Sequence, residues 1–155
     1  MELGLQSFCL RGLADNDEVA AAVRDCGLRR IELCAVHTGF DDPEAFGSLA
    51  ARYRDNGVPV VSVGVNRIGT DRAAAERLFA CAKAAGLERM SVDFPIDGAG
   101  DALAIAEELA ERHGVLLGIH NHGGRHWLGS RQALRWAFAR TGTRVGLSLD
   151  TAWAL

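Results

Sequence analysis

The sequence contains no cluster of Lys or Arg, and its formal net charge is −3. A nucleic-acid partner needs a positive patch to meet its phosphates, so DNA and RNA are not expected ligands. The four cysteines, Cys9, Cys26, Cys34 and Cys81, form no C-x-x-C pair, which suits free packing thiols in a reducing compartment. The amino terminus lacks the basic and then apolar segments of a secretory signal, Glu2 standing where a positive residue would be. Also absent are any apolar run near the roughly 18 residues of a membrane span and any Pro-rich or low-complexity linker. These absences predict a cytoplasmic protein with no membrane contact. With 48% apolar residues in 155 positions, one domain over 1–155 can bury a real core.

What is present is a regular alternation. Apolar, β-rich runs at Leu3–Cys9, Arg30–Cys34, Val58–Val65, Glu88–Phe94, Val115–Gly124 (apolar at its start, then breaking into histidines and glycines) and Arg144–Leu149 read as six strands. Between them lie five amphipathic segments that read as helices: Asp15–Cys26, one led by Asp42 and Pro43, one capped by Thr70, Asp101–His113 and one capped by Ser130. Gly27, Gly57, Gly86, Gly114 and Gly142 follow these helices at intervals of 30, 29, 28 and 28 residues. Such spacing is the mark of repeated βα units and a parallel sheet with right-handed crossovers.

An open nucleotide-binding sheet would carry a Gly-rich phosphate loop after its first strand, and Ser7–Gly12 has none. A (β/α)₈ barrel instead gathers polar residues at the carboxyl ends of many strands. Glu32 and His37, Asn66 and Arg67, Asp93, His120 and His122, and Asp150 all fall there. The expected fold is therefore α/β of the TIM-barrel type. Eight units would need about 230–250 residues, so the chain is expected to be a barrel truncated after its sixth strand. The open edges would then call for a homo-oligomer or another partner to cover them.

The motifs Arg30-Ile31-Glu32-Leu33, Ile119-His120-Asn121-His122-Gly123 and Val145-Gly146-Leu147-Ser148-Leu149-Asp150-Thr151, with the opening Leu-Gly-Leu-Gln-Ser-Phe strand, resemble the xylose isomerase-like TIM barrels. That superfamily holds sugar-phosphate isomerases, ketose 3-epimerases, inosose dehydratases and endonuclease IV. The resemblance implies a metal-dependent isomerase or epimerase acting on a small sugar or sugar phosphate, with an inosose dehydratase-like lyase or a non-catalytic barrel fragment as alternatives. An endonuclease IV-like activity would need more metal ligands and a basic groove. By the same resemblance Asp150 stands at the strand-six metal ligand. His120 stands where the family more often has Glu, and Trp153 replaces the histidine of an Asp-Thr-Gly-His motif. The family's remaining ligands, a His and a Glu from strands seven and eight, would follow Leu155.

Isomerisation moves a proton on a carbon beside a carbonyl while a cation stabilises the developing oxygen charge. His120 and Asp150 are the candidate metal ligands, and imidazole ligation favours Mn, Co or Zn over Mg. Glu32 and His122 are the acid/base candidates; residues two apart on a strand face one side, so His120 and His122 should point together. His37, Asp93 and Trp153 are candidate substrate contacts, against the plainer readings of a solvated loop histidine, a turn cap and a core indole. Asp150 could instead cap the next element. Arg125 and His126, beside a Gly-Gly turn, could meet a phosphate or simply face water.

Overall fold

The computed structural model describes residues 2–154 of the chain. Its strands are β1 (Leu5–Gln6), β2 (Ile31–Leu33), β3 (Val60–Val63), β4 (Asn66–Arg67), β5 (Arg89–Asp93), β6 (Leu116–His120) and β7 (Val145–Ser148). Its helices are α1 (Asn16–Asp25), α2 (Pro43–Asp55), α3 (Arg72–Ala84), α4 (Ala99–His113) and α5 (Arg131–Phe138). Every strand pair is parallel, in the orders β1-β2-β3 and β4-β5-β6-β7. Strand β3 lies within the third expected strand and also against β5, while β4 is a further two-residue strand just beyond that strand's expected end at Val65. The two ladders thus follow one another along a single parallel arc. Gly64, between β3 and β4, permits a close approach, because a Cβ there would lie 2.5 Å from the Cβ of Ser91.

Helix ends follow their sequence signals closely. The side chains of Asp15, Asp42 and Ser130 accept from the first free amides of α1, α2 and α5. Asp71, rather than Thr70, caps α3. Gly27, Gly57, Gly86 and Gly114 take φ between 68° and 74°, the left-handed stop that lets the chain turn into the next strand. Gly142 does not repeat this. Helix α5 ends earlier, at Phe138, and the Gly142 amide instead donates to the Glu107 carboxylate. The first strand is also shorter than expected, since Ser7–Leu10 winds into a 3₁₀ turn and the Ser7 hydroxyl accepts the Cys34 amide at 2.9 Å.

The two faces of the arc differ in chemistry. Ile31, Leu33, Val63, Met90, Val92, Leu117 and Ile119 are buried beneath helix residues such as Val19, Val23, Phe46, Tyr53, Phe79, Leu103 and Leu109. On the concave side Glu32, Ser62, Ser91, Gly118 and Ser148, together with apolar residues such as Leu116, line a cavity of about 420 Å³. The expected cysteine packing holds for two of four residues; Cys34 and Cys81 are buried, but Cys9 and Cys26 are exposed because they sit at the outer ends of their elements. At the β7 edge Leu147 and Leu149 are 47% and 58% exposed. Among the described residues no helix is long and apolar enough to cross a membrane.

Candidate functional site

Parallel register brings several polar side chains to the carboxyl end of the arc. Arg67 and Asp93 are register partners at the ends of β4 and β5. The Arg67 guanidinium donates from Nε to Asp93 Oδ1 at 3.1 Å and from Nη2 to Oδ2 at 3.3 Å. Asp93 is therefore not a turn cap. Its carboxylate is buried beside the histidines that leave β6, with Oδ2 at 3.4 Å from His122 Nε2 and 3.7 Å from His126 Nε2. On the neighbouring strand end, His120 Nε2 lies 3.5 Å from Asp150 Oδ2. The rings of His120 and His122 do share a side, with centroids 4.7 Å apart, and His122 and His126 follow at 4.0 Å.

The local chain explains this convergence. Alternation past the end of β6 turns His120 and His122 inward and Asn121 outward into the core, where it is buried. Asn121 then clamps the next strand end: its Nδ2 donates to the Asp150 carbonyl at 3.0 Å, and its Oδ1 accepts the Asp150 amide at 2.6 Å. Beyond the Gly123-Gly124 turn, the fully buried Leu128 anchors a 3₁₀ turn over Trp127–Gly129. The Trp127 indole donates to the Phe94 carbonyl at 2.8 Å, which ties this loop to the residue after Asp93. His126 is thereby carried back over the carboxylate, and its Nδ1 accepts the Leu128 amide at 3.2 Å.

Burial, then the charge of a neighbouring histidine, lowers the pKa of His122 and of His126, with Asp93 opposing in both cases. Both rings are neutral near pH 7, so their contacts with Asp93 are dipolar rather than full ion pairs. His120 Nδ1 and His122 Nε2 are buried without hydrogen-bond partners. His122 Nε2 faces the Asp93 carboxylate, where an unpartnered imidazole nitrogen is a poor core feature but a suitable cation ligand; the His120 atom that faces Asp150 is Nε2, not the orphaned Nδ1.

The other sequence candidates divide. Glu32 faces the concave cavity, and its partner is Gln6, whose Nε2 donates to Oε1 at 2.7 Å; Arg30, two residues before it, reaches Glu2 at 2.7 Å. His37 braces the fold, with Nε2 at 3.1 Å from the Leu13 carbonyl and its own carbonyl accepting from Asn16. The Trp153 indole is about half exposed and lies on Gly123, where any added methyl would overlap the ring. Asp150 does cap the 3₁₀ turn at Thr151–Trp153 through Oδ1, to the Ala152 amide at 2.9 Å, while Oδ2 is the atom near His120. Trp127 and Trp136 pack edge-on against each other, with ring centroids 5.8 Å apart, and both lie against the core. Sequence reasoning assigned no role to Arg67 or Asn121 and left His126 between phosphate contact and solvent. The H-x-x-x-H spacing of His122 and His126 was the available signal.

No family model and no curated protein matches this sequence. Solved structures do. The chain is similar to an uncharacterised protein of Parabacteroides distasonis ATCC 8503 (TM-score 0.76, 18% identity, covering 94% of this chain and 61% of that one). It is also similar to an L-ribulose 3-epimerase (0.71, 22%, 99% and 62%) and to the IolI protein with a bound zinc atom (0.68, 12%, 97% and 64%). The chain spans a little over three-fifths of the length of these structures. The likeness is one of fold: the strands and helices described above are parallel βα units of the TIM-barrel type.

Proposed function

We propose that this chain belongs to a metal-dependent isomerase or epimerase of small sugars or sugar phosphates. The observation that carries the reading is the convergence of His120 with Asp150 and of His122 with Asp93 at the carboxyl ends of β5, β6 and β7. In barrels of this kind that end is where reacting groups are assembled. The solved neighbours of like fold include a ketose 3-epimerase and a zinc-holding protein, which supports both the substrate class and a cation.

His120 and Asp150 are the residues that would hold the cation. Two donors bound at about 2.1 Å on a tetrahedral ion are separated by roughly 3.4 Å, close to the 3.5 Å between His120 Nε2 and Asp150 Oδ2. An imidazole and a carboxylate together favour Mn, Co or Zn over Mg. When bound, the cation supplies positive charge to the oxygen next to the carbon that loses its proton. The protein's own groups do the rest. Asn121 holds the Asp150 backbone in place, Glu32 and His122 are the groups to accept and return the proton, and the Trp153 face offers an apolar wall for a sugar ring. Asp93, held by Arg67, lies with Oδ2 at 3.4 Å from His122 Nε2. The bracing contacts of His37 argue for a structural role there and against the substrate contact expected from sequence.

The reading is tested by incubating the protein in D₂O with ketopentoses, ketohexoses and their phosphates, after chelation and reloading with Mn, Co, Zn or Mg. Deuterium appearing on the carbon beside the carbonyl, with Mn, Co or Zn but not after chelation, is the expected result. Absence of exchange on every sugar with every metal would sink it.

A further inference from the structure

We infer that Asp93, His122 and His126 form a second cation position, separate from His120 and Asp150, that takes a zinc-like ion. Their donor atoms all lie within 4.8 Å of one another. The two distances through the shared carboxylate oxygen, 3.4 Å to His122 Nε2 and 3.7 Å to His126 Nε2, match or slightly exceed the roughly 3.4 Å edge of a tetrahedral site with ligands at about 2.1 Å. Two imidazoles and one carboxylate are a donor set for Zn or Co rather than for Mg or Ca, which prefer oxygen. Three protein donors also leave a fourth position open to water or a ligand.

Two details support a ligand there rather than a closed hydrogen-bond network. His122 Nε2 is buried and unpartnered although it faces a carboxylate oxygen. The loop that carries His126 is fixed at both flanks by the buried Leu128 and by the Trp127 bond to Phe94, so the third donor is held in place before any ion arrives. Two features oppose binding and set its strength. Because His126 Nδ1 accepts the Leu128 amide, the neutral ring carries its hydrogen on Nε2, and loading moves that hydrogen to Nδ1 at the cost of this bond. Arg67 also lies across both Asp93 oxygens, placing a positive charge next to the incoming ion. Arg67 thus weakens the site while leaving Oδ2 a second lone pair to share. The inference stands without the catalytic reading; within that reading, an ion here would occupy His122 and withdraw it from proton transfer.

The test is cation binding by the purified, chelator-stripped protein without substrate. Zinc stoichiometry is followed by equilibrium dialysis and cobalt ligation by visible absorption, with far-ultraviolet circular dichroism confirming that each variant is folded. His126→Ala should lose one zinc equivalent or weaken it at least tenfold, and the paired His120→Ala, Asp150→Asn variant should keep that equivalent. Arg67→Ala, which touches no donor to the ion except Asp93, should tighten it several-fold. Zinc binding that survives His126→Ala unchanged, binding that weakens in Arg67→Ala, or no zinc or cobalt bound by the native chain would each overturn the inference. Failure of the native, zinc-loaded protein to exchange deuterium while it still binds this equivalent would count against the catalytic reading alone.

Discussion

Asn121 offers the sharpest check on how the strand ends are held together. Its side chain makes two hydrogen bonds to the backbone of Asp150, at 3.0 and 2.6 Å, across 29 residues of sequence. Asn121→Ala removes both and leaves a carbonyl and an amide of Asp150 facing a small void. At about 1 kcal/mol per hydrogen bond, with a further penalty for polar groups left unpaired, the expected loss is about 2–3 kcal/mol. For a chain of this size that corresponds to a fall in Tm of roughly 5–10 °C. Urea unfolding followed by circular dichroism should show a lower midpoint with an unchanged slope. The Asp150 carboxylate should also lose its fixed place opposite His120, weakening cation binding by about 10–100-fold, as expected for loss of an orienting group. Asn121→Asp separates the two bonds: the Asp150 amide keeps its acceptor, but a carboxylate oxygen then faces the Asp150 carbonyl, and destabilisation should persist at neutral pH and ease in acid. An Asn121→Ala variant that unfolds at the same urea concentration as the native protein would refute the clamp.

Asp150→Asn keeps a side-chain oxygen for the Ala152 amide, so the fold should survive, while cation affinity and any metal-dependent turnover should collapse; undiminished binding and activity would remove Asp150 from the site. His113 gives a pH prediction away from the site: burial, followed by the nearby charges of Arg112 and Lys83, lowers its pKa, with Glu76 opposing. The unfolded chain then binds more protons at this position, so its stability contribution is complete above about pH 6.5 and declines as the pH falls below that value. The urea midpoint should therefore drop more steeply between pH 7.5 and 5.5 in the native protein than in His113→Gln, and equal slopes would refute the assignment. Burial also raises the thiol pKa of Cys34 and pushes that of Cys81 up to about 11, whereas Cys9 and Cys26 are exposed. Iodoacetamide at about pH 8 should label only Cys9 and Cys26 in the folded protein, as read by mass spectrometry, and all four after denaturation; rapid native labelling of Cys81 would contradict the packing of α3.

The βα rhythm was legible because the units carry their own local chemistry: an acidic or hydroxyl cap on α1, α2, α3 and α5, an amphipathic face, and a glycine of positive φ that stops α1 to α4. Where a local signal failed, a tertiary contact had replaced it. Gly142 lost its capping role to the Glu107 side chain, and the run from Val58 was cut at Gly64 by the close passage of Ser91. The shared side of His120 and His122 was likewise implied, since alternation alone turns residues two apart the same way.

By itself the sequence determined an α/β barrel type and the set of polar residues at its strand ends, because periodicity, caps and stops act over a few residues. Which of those residues meet was decided only by tertiary structure. Strand register set Arg67 against Asp93, a buried Asn121 tied Asp150 to β6, and the Leu128 and Trp127 anchors folded His126 back onto Asp93. These contacts span 26 to 33 residues, and no pattern within a single element can encode a distance across the arc.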